Sequence, residues 1–212
     1  MFSFLRLVLP FLPLISKGHA LSSAESDSIA LINFYTSDGL DSLERSFTSL
    51  LSFDENQLEN EHNFIQTMFP LHEPSNMISN APILTREIAA LLSTNKIARE
   101  RFLKALLIFR NFLGITGTSS IISTRKTSID NVIRQKRIVL WLYNGNHNIL
   151  RVTRIIRSLR LVGLEREALD FYRDVSHEGH AAGLESKTLA YWRRAAIGEI
   201  FDTMQGDTND EF

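Results

Sequence analysis

The chain has 212 residues, no cysteine and a formal net charge of −1, with 44% hydrophobic and 22% charged residues. These proportions exclude a largely disordered chain, and the length suits one domain that buries a full core without staples. The lack of cysteine excludes disulfide scaffolds, thiol nucleophiles, iron–sulfur clusters and cysteine-ligated zinc.

The first twenty residues, MFSFLRLVLPFLPLISKGHA, carry an apolar run from Leu7 to Ile15 broken by Pro10 and Pro13. That run is too short to span a bilayer as a helix, which takes about 20 apolar residues. With Gly18 and Ala20 behind it, it reads as a secretory signal cleaved after Ala20. The alternative is an N-terminal helix anchored on a membrane face or on the domain's own core. The domain is then expected over residues 21–204, with an acidic tail over 205–212.

Ser22-x-x-Glu25 predicts a capping box opening a helix through Phe34. Asp54 followed by Gln57 predicts another helix, running to Phe69 where Pro70 stops it. Thr85 opens a short helix through Leu92, and Thr94 or Asn95 a longer one ending at Gly114. Within it, Phe102–Phe109 has little polar surface and reads as the buried centre of a bundle. Residues 114–127 are rich in Ser, Thr and Gly and read as a loop. Thr127-x-x-Asp130 caps a helix through Tyr143; a strand over Arg137–Tyr143 would lack an alternating partner run. Asn144-Gly145-Asn146 is a turn.

The helix from His147 to Val162 has the clearest periodicity. Ile149, Val152, Ile155, Ile156, Leu159 and Val162 share one half of the wheel, at about 100° per residue. Arg151, Thr153, Arg154, Arg157, Ser158 and Arg160 fall on the other half, and Gly163 closes the helix. Helices near Glu165–Val175 and Glu185–Met204 follow. All five prolines lie at or before Pro82, which favours helices over the rest. The expected fold is all-α: a compact single-domain bundle of about seven to nine helices.

The chain has no hydrolase elbow, P-loop, dinucleotide fingerprint or HExxH, so no enzyme activity, cofactor or metal is expected. Glu59-x-x-His62 has di-iron spacing, but that site needs a second such pair and two further glutamates. His177-Glu178-Gly179-His180 reads as a solvated loop. Leu58, His62, Ile65 and Phe69 share a helical face. His62 is therefore either a core histidine satisfied by a hydrogen bond or a pocket histidine flanked by Glu59 and Gln66. The Pro70 and Pro74 pair stiffens the exit from this helix and leaves Glu73 available to an arginine.

Charge is uneven. Residues 21–100 hold 12 acids and 4 bases, whereas residues 125–160 hold 9 bases and 1 acid. Either the two regions face each other, or the arginines solvate the back of a helix, or the basic region forms a face for nucleic acid, anionic lipid or an acidic partner.

Leu58-Glu59-x-x-His62-x-Phe64-Ile65-Gln66-x-x-Phe69-Pro70-x-x-Glu73-Pro74-Ser75 resembles a signature of the opioid growth factor receptor conserved domain. Ile32-x-Phe34-Tyr35, Asn80-Ala81-Pro82 and Phe102–Leu113 are similar to the segments around it. His147-Asn148-x-Leu150-Arg151-x-Thr153-Arg154-Ile155-x-x-Ser158-Leu159 resembles a second signature. The resemblance is strongest over residues 29–175; Thr67 stands where the family usually has tryptophan. It implies a receptor-like, non-enzymatic module for a short enkephalin peptide or a protein partner, membrane-associated or perinuclear as in vertebrate members. A signal peptide would instead place it in the secretory pathway. A ligand groove is expected between the Asp54–Phe69 and His147–Val162 helices. Glu59, His62, Gln66, Glu73 and Asn148 would supply polar contacts, and Arg151 and Arg154 would take a carboxylate.

Overall fold

The computed structural model describes residues 22–115 and 128–201. The signal-like segment, the Thr127 cap and the acidic tail lie outside the described residues. Ten helices are described, slightly above the expected count: α1 (Ser23–Thr36), α2 (Phe47–Leu51), α3 (Glu55–Asn60), α4 (Ile65–Met68), α5 (Arg86–Thr94), α6 (Lys96–Leu113), α7 (Ser128–Trp141), α8 (Asn148–Leu161), α9 (Glu165–Ala181) and α10 (Ser186–Ile197). The fold is all-α. Among the described residues the only β pairing is two isolated bridges, Leu40 with Ser46 and Leu71 with Ile83.

Local chemistry starts most of these helices. Ser22 and Asp54 both form full capping boxes, with Glu25 and Gln57 respectively. The Thr85 hydroxyl accepts from the Ile88 N–H, and the Asn95 side chain from that of Ala98. Each such cap is worth about 1 kcal/mol. Gly114 ends α6 at φ +70°, and a Cβ there would lie 2.8 Å from the Arg134 carbonyl oxygen. Glycine therefore serves both the left-handed turn and the close passage of α7.

Packing forms two groups. In one, α6 packs against α1, α2, α5 and α7; in the other, α8, α9 and α10 pack on one another. Tyr35 and Phe102 stack at 4.2 Å in the first group. Trp192 is fully buried in the second, its indole N–H donating to the Ile149 carbonyl at 3.1 Å. The chain from α3 to Glu73 lies along α8 and joins the groups.

Four expectations need correction. The Asp54–Phe69 helix is two short helices, broken between Glu61 and Phe64. His177–His180 is not a solvated loop but the last turns of α9. There Gly179 lets Trp192, Leu189 and Leu184 approach to within 3.0–3.2 Å of where a Cβ would stand. The Phe102–Phe109 stretch is not buried all round, since Leu103 and Leu107 face outward. The Ser46-capped helix α2 was not expected.

Candidate functional site

The broken helix and the buried side of α8 have one cause. A helix leaves its last four carbonyls unpaired, and helices as short as α3 and α4 have few internal bonds to offset that. Side chains of α8 and α1 supply the missing donors. Arg151, only 5% exposed, donates to the carbonyls of Leu58 and, at 2.7 Å, Glu61. Its guanidinium also reaches Asn148 Oδ1 at 3.2 Å and His62 Nδ1 at 3.3 Å. At the end of α4 and just past it, the Tyr35 hydroxyl donates to the Met68 carbonyl at 2.5 Å, Arg154 to that of Phe69 at 3.2 Å, and Ser158 to that of Pro70 at 2.9 Å. Burial lowers the pKa of Arg151 and of Arg154 to about 10, so both stay charged at neutral pH.

Toward the rim of this seam, exposure rises from Asn148 through Glu59 and His147 to His62. Asn148 is fully buried, and its amide donates to Glu59 Oε2 at 3.1 Å. The other Glu59 oxygen lies 3.5 Å from His147 Nε2. The His147 ring meets the His62 ring edge to face at 5.2 Å. Burial, and then the Arg151 charge, lower the His147 pKa, with Glu59 opposing them. At neutral pH the cluster is therefore one half-exposed carboxylate flanked by an imidazole favoured neutral and underlain by a buried cation. His62 itself is exposed, so it is neither a core histidine nor a pocket one.

Farther along α8, Glu73 takes both its oxygens to Arg157, with His72 Nδ1 at 3.0 Å from one of them. Gln66 is buried on α4, its Oε1 without a hydrogen-bond partner, and makes no hydrogen bond to Glu59 or His62. The structure therefore brings Glu59, His62, Asn148 and Arg151 together. It places Glu73 and Arg154 at the other end of the seam and Gln66 apart from both ends. Sequence reasoning missed His147 and Arg157; His147 stood in the same quoted motif as Asn148, one residue away. Among the described residues no group of three His, Asp or Glu could hold a metal ion.

The basic region is largely turned inward. Arg134 pairs with Glu178, Arg137 with Glu55, Arg157 with Glu73 and Arg160 with Glu165. Among the described residues, no helix is long and apolar enough to cross a membrane.

The geometry defines a helical domain in which two distant chain segments are locked together by arginine–carbonyl bonds, with a half-exposed carboxylate–imidazole rim. The family described as the opioid growth factor receptor (OGFr) conserved region matches residues 33–193, and the chain belongs to this family. It is 35% identical over 111 residues to the mouse opioid growth factor receptor, covering 51% of this chain and 16% of that protein. The human opioid growth factor receptor is 33% identical over 112 residues, covering 51% of this chain and 15% of its own length. The rat opioid growth factor receptor-like protein 1 is 31% identical over 131 residues, covering 59% and 26%. The chain thus aligns with about a quarter or less of these relatives. No solved structure matches it.

Proposed function

We propose that this receptor-family domain is a non-enzymatic module that binds a short peptide at the rim of the α3–α8 seam. One observation carries the reading: Glu59, His62 and His147 are gathered from two distant segments, with Glu59 half-exposed and His62 exposed, while the arginine beneath them is spent on backbone carbonyls. A half-exposed carboxylate beside imidazole suits a peptide's free amino terminus, which gains a charge-assisted hydrogen bond there. Arg151 and Arg154 serve this site by holding it rather than by taking a ligand carboxylate. The relatives' name, opioid growth factor receptor, supports an opioid peptide as ligand, and the family resemblance makes a short enkephalin the first probe.

Titration of the full chain with that labelled peptide, followed by fluorescence anisotropy, is the test. Saturable binding weakened about tenfold or more by Glu59→Gln is expected, a loss of roughly 1.4 kcal/mol. Absence of binding, or indifference to the substitution, overturns the reading. The signal-like composition of residues 1–20 supports a secretory location; the mass of the mature N-terminus checks this, and an intact Met1 favours the perinuclear site.

A further inference from the structure

The two oxygens of the rim carboxylate are not equivalent. Asn148 donates to Glu59 Oε2 at 3.1 Å, which leaves Oε1 to face His147 Nε2 at 3.5 Å. That separation is longer than a normal hydrogen bond, and the His147 nitrogen is buried with no hydrogen-bond partner. A proton on the ring turns this loose contact into a charge-assisted pair. Glu59 Oε1 is therefore the oxygen that both a peptide ammonium and a protonated His147 would claim.

The charges around His147 come from three parts of the chain. Its own helix contributes Arg151 and the positive end of α8, which begins at the next residue. The His62 ring stands at 5.2 Å from the segment past α3, and Glu59 faces it from α3 itself. Burial, Arg151 and His62 hold the His147 pKa below the ordinary imidazole value, and the positive end of α8 acts in the same sense. Glu59 is the group that favours the proton. An ammonium bound at Glu59 Oε1 cancels that attraction and sets one more cation beside the ring. Ligand and proton thus oppose each other, and by linkage each weakens the other equally.

We propose that His147 is an acid-release switch for the rim: once protonated it takes Glu59 and displaces a ligand's amino terminus. This rests on the peptide reading of the rim and adds its regulation. The affinity then has two limbs. Above about pH 8 the peptide's own amino group loses its proton. Below about pH 6.5 His147 gains one, and affinity falls by up to about tenfold per pH unit.

The test titrates the full chain with enkephalin labelled at its carboxyl end, at about pH 7 and about pH 5. The parent should bind at least about threefold more weakly at the lower pH. Because His147 belongs to the site, each variant is read against its own affinity at neutral pH. His147→Gln takes no proton there, and its affinity should change by less than about twofold. His62→Gln should keep most of the parent's fall. Calorimetry at about pH 6 in two buffers of unlike ionisation enthalpy gives a second readout. The parent should release protons on binding, and His147→Gln should not. An affinity independent of pH, a fall that His147→Gln retains, or binding without proton release overturns the switch and leaves the peptide site standing. No saturable binding at neutral pH overturns the peptide site, and the switch with it.

Discussion

Arg151 is a cation where burial alone calls for an aliphatic residue. A buried charge is tolerated only when its donors are used, and here they meet the carbonyls of Leu58 and Glu61 and the side chain of Asn148. Replacing it by methionine keeps the apolar stem and removes every donor, leaving those carbonyls unsatisfied. The expected cost is about 3 kcal/mol in urea unfolding. Lysine recovers only part of it, because one ammonium cannot fork to two carbonyls on either side of Asn60. A methionine variant within about 0.5 kcal/mol of the parent would refute the capping role. The helical wheel of α8 had placed Arg151, Arg157 and Ser158 on the polar half. A wheel sorts residues by polarity, and it cannot register that a neighbouring backbone offers the polar partners. The polar stripe of α8 was legible, but its direction was not.

The same device recurs from element to element. Arg101 caps the end of α1 through the carbonyls of Phe34 and Ser37. Arg99 reaches the Ser93 carbonyl at the end of α5 and that of Gly163 beyond α8. Arg137 reaches the Phe112 carbonyl at 3.3 Å, near the end of α6. Arg160 takes the carbonyls of Ala195 and Gly198 at the end of α10, at 2.8 and 3.0 Å. A cation at a helix C-terminus gains from both the hydrogen bond and the macrodipole. Arg160→Ala should therefore cost about 1–2 kcal/mol. Arg173→Ala, which removes only an exposed pair with Asp170, should stay within about 0.5 kcal/mol. Denaturant midpoints of the two variants decide the matter, and equal losses would mean that carbonyl capping adds nothing beyond surface pairing. This asymmetry also explains which boundaries the sequence revealed. N-caps are local, so Ser22, Asp54, Thr85 and Asn95 announced their helices. The partners at the break after Asn60 come from about ninety residues away, so it left no local sign; the sequence did mark the end of α9, with Gly183 at φ +73° just past Ala182. Where a C-terminus is closed locally, as by Gly114 and Gly163, it too was legible.

At the scale of the whole molecule, the small net charge is a balance between an acidic first half and a basic middle that meet in the fold. Glu55 with Arg137 and Glu73 with Arg157 join the two regions directly. Arg151 and Arg154 are withdrawn onto carbonyls of the acidic half. Of the bases described in the basic region, Lys136 alone is exposed without a partner. A sequence of nine bases and one acid over residues 125–160 looks like a polyanion-binding face, but it takes shape as the internal counterpart of another segment. Polyanion binding depends on phosphates displacing counterions at free cations, and its salt slope counts them. With so few free, the chain should leave immobilised heparin below about 0.15 M salt, with a shallow dependence on ionic strength. Glu55→Gln removes the exposed carboxylate paired with Arg137 and should raise the eluting salt; Asp170→Asn, whose arginine is already exposed, should move it less. Retention of the parent chain well above physiological salt would mean that the basic region still presents a continuous face to anions. The inward turn of its arginines would then have been too partial to decide what the chain binds.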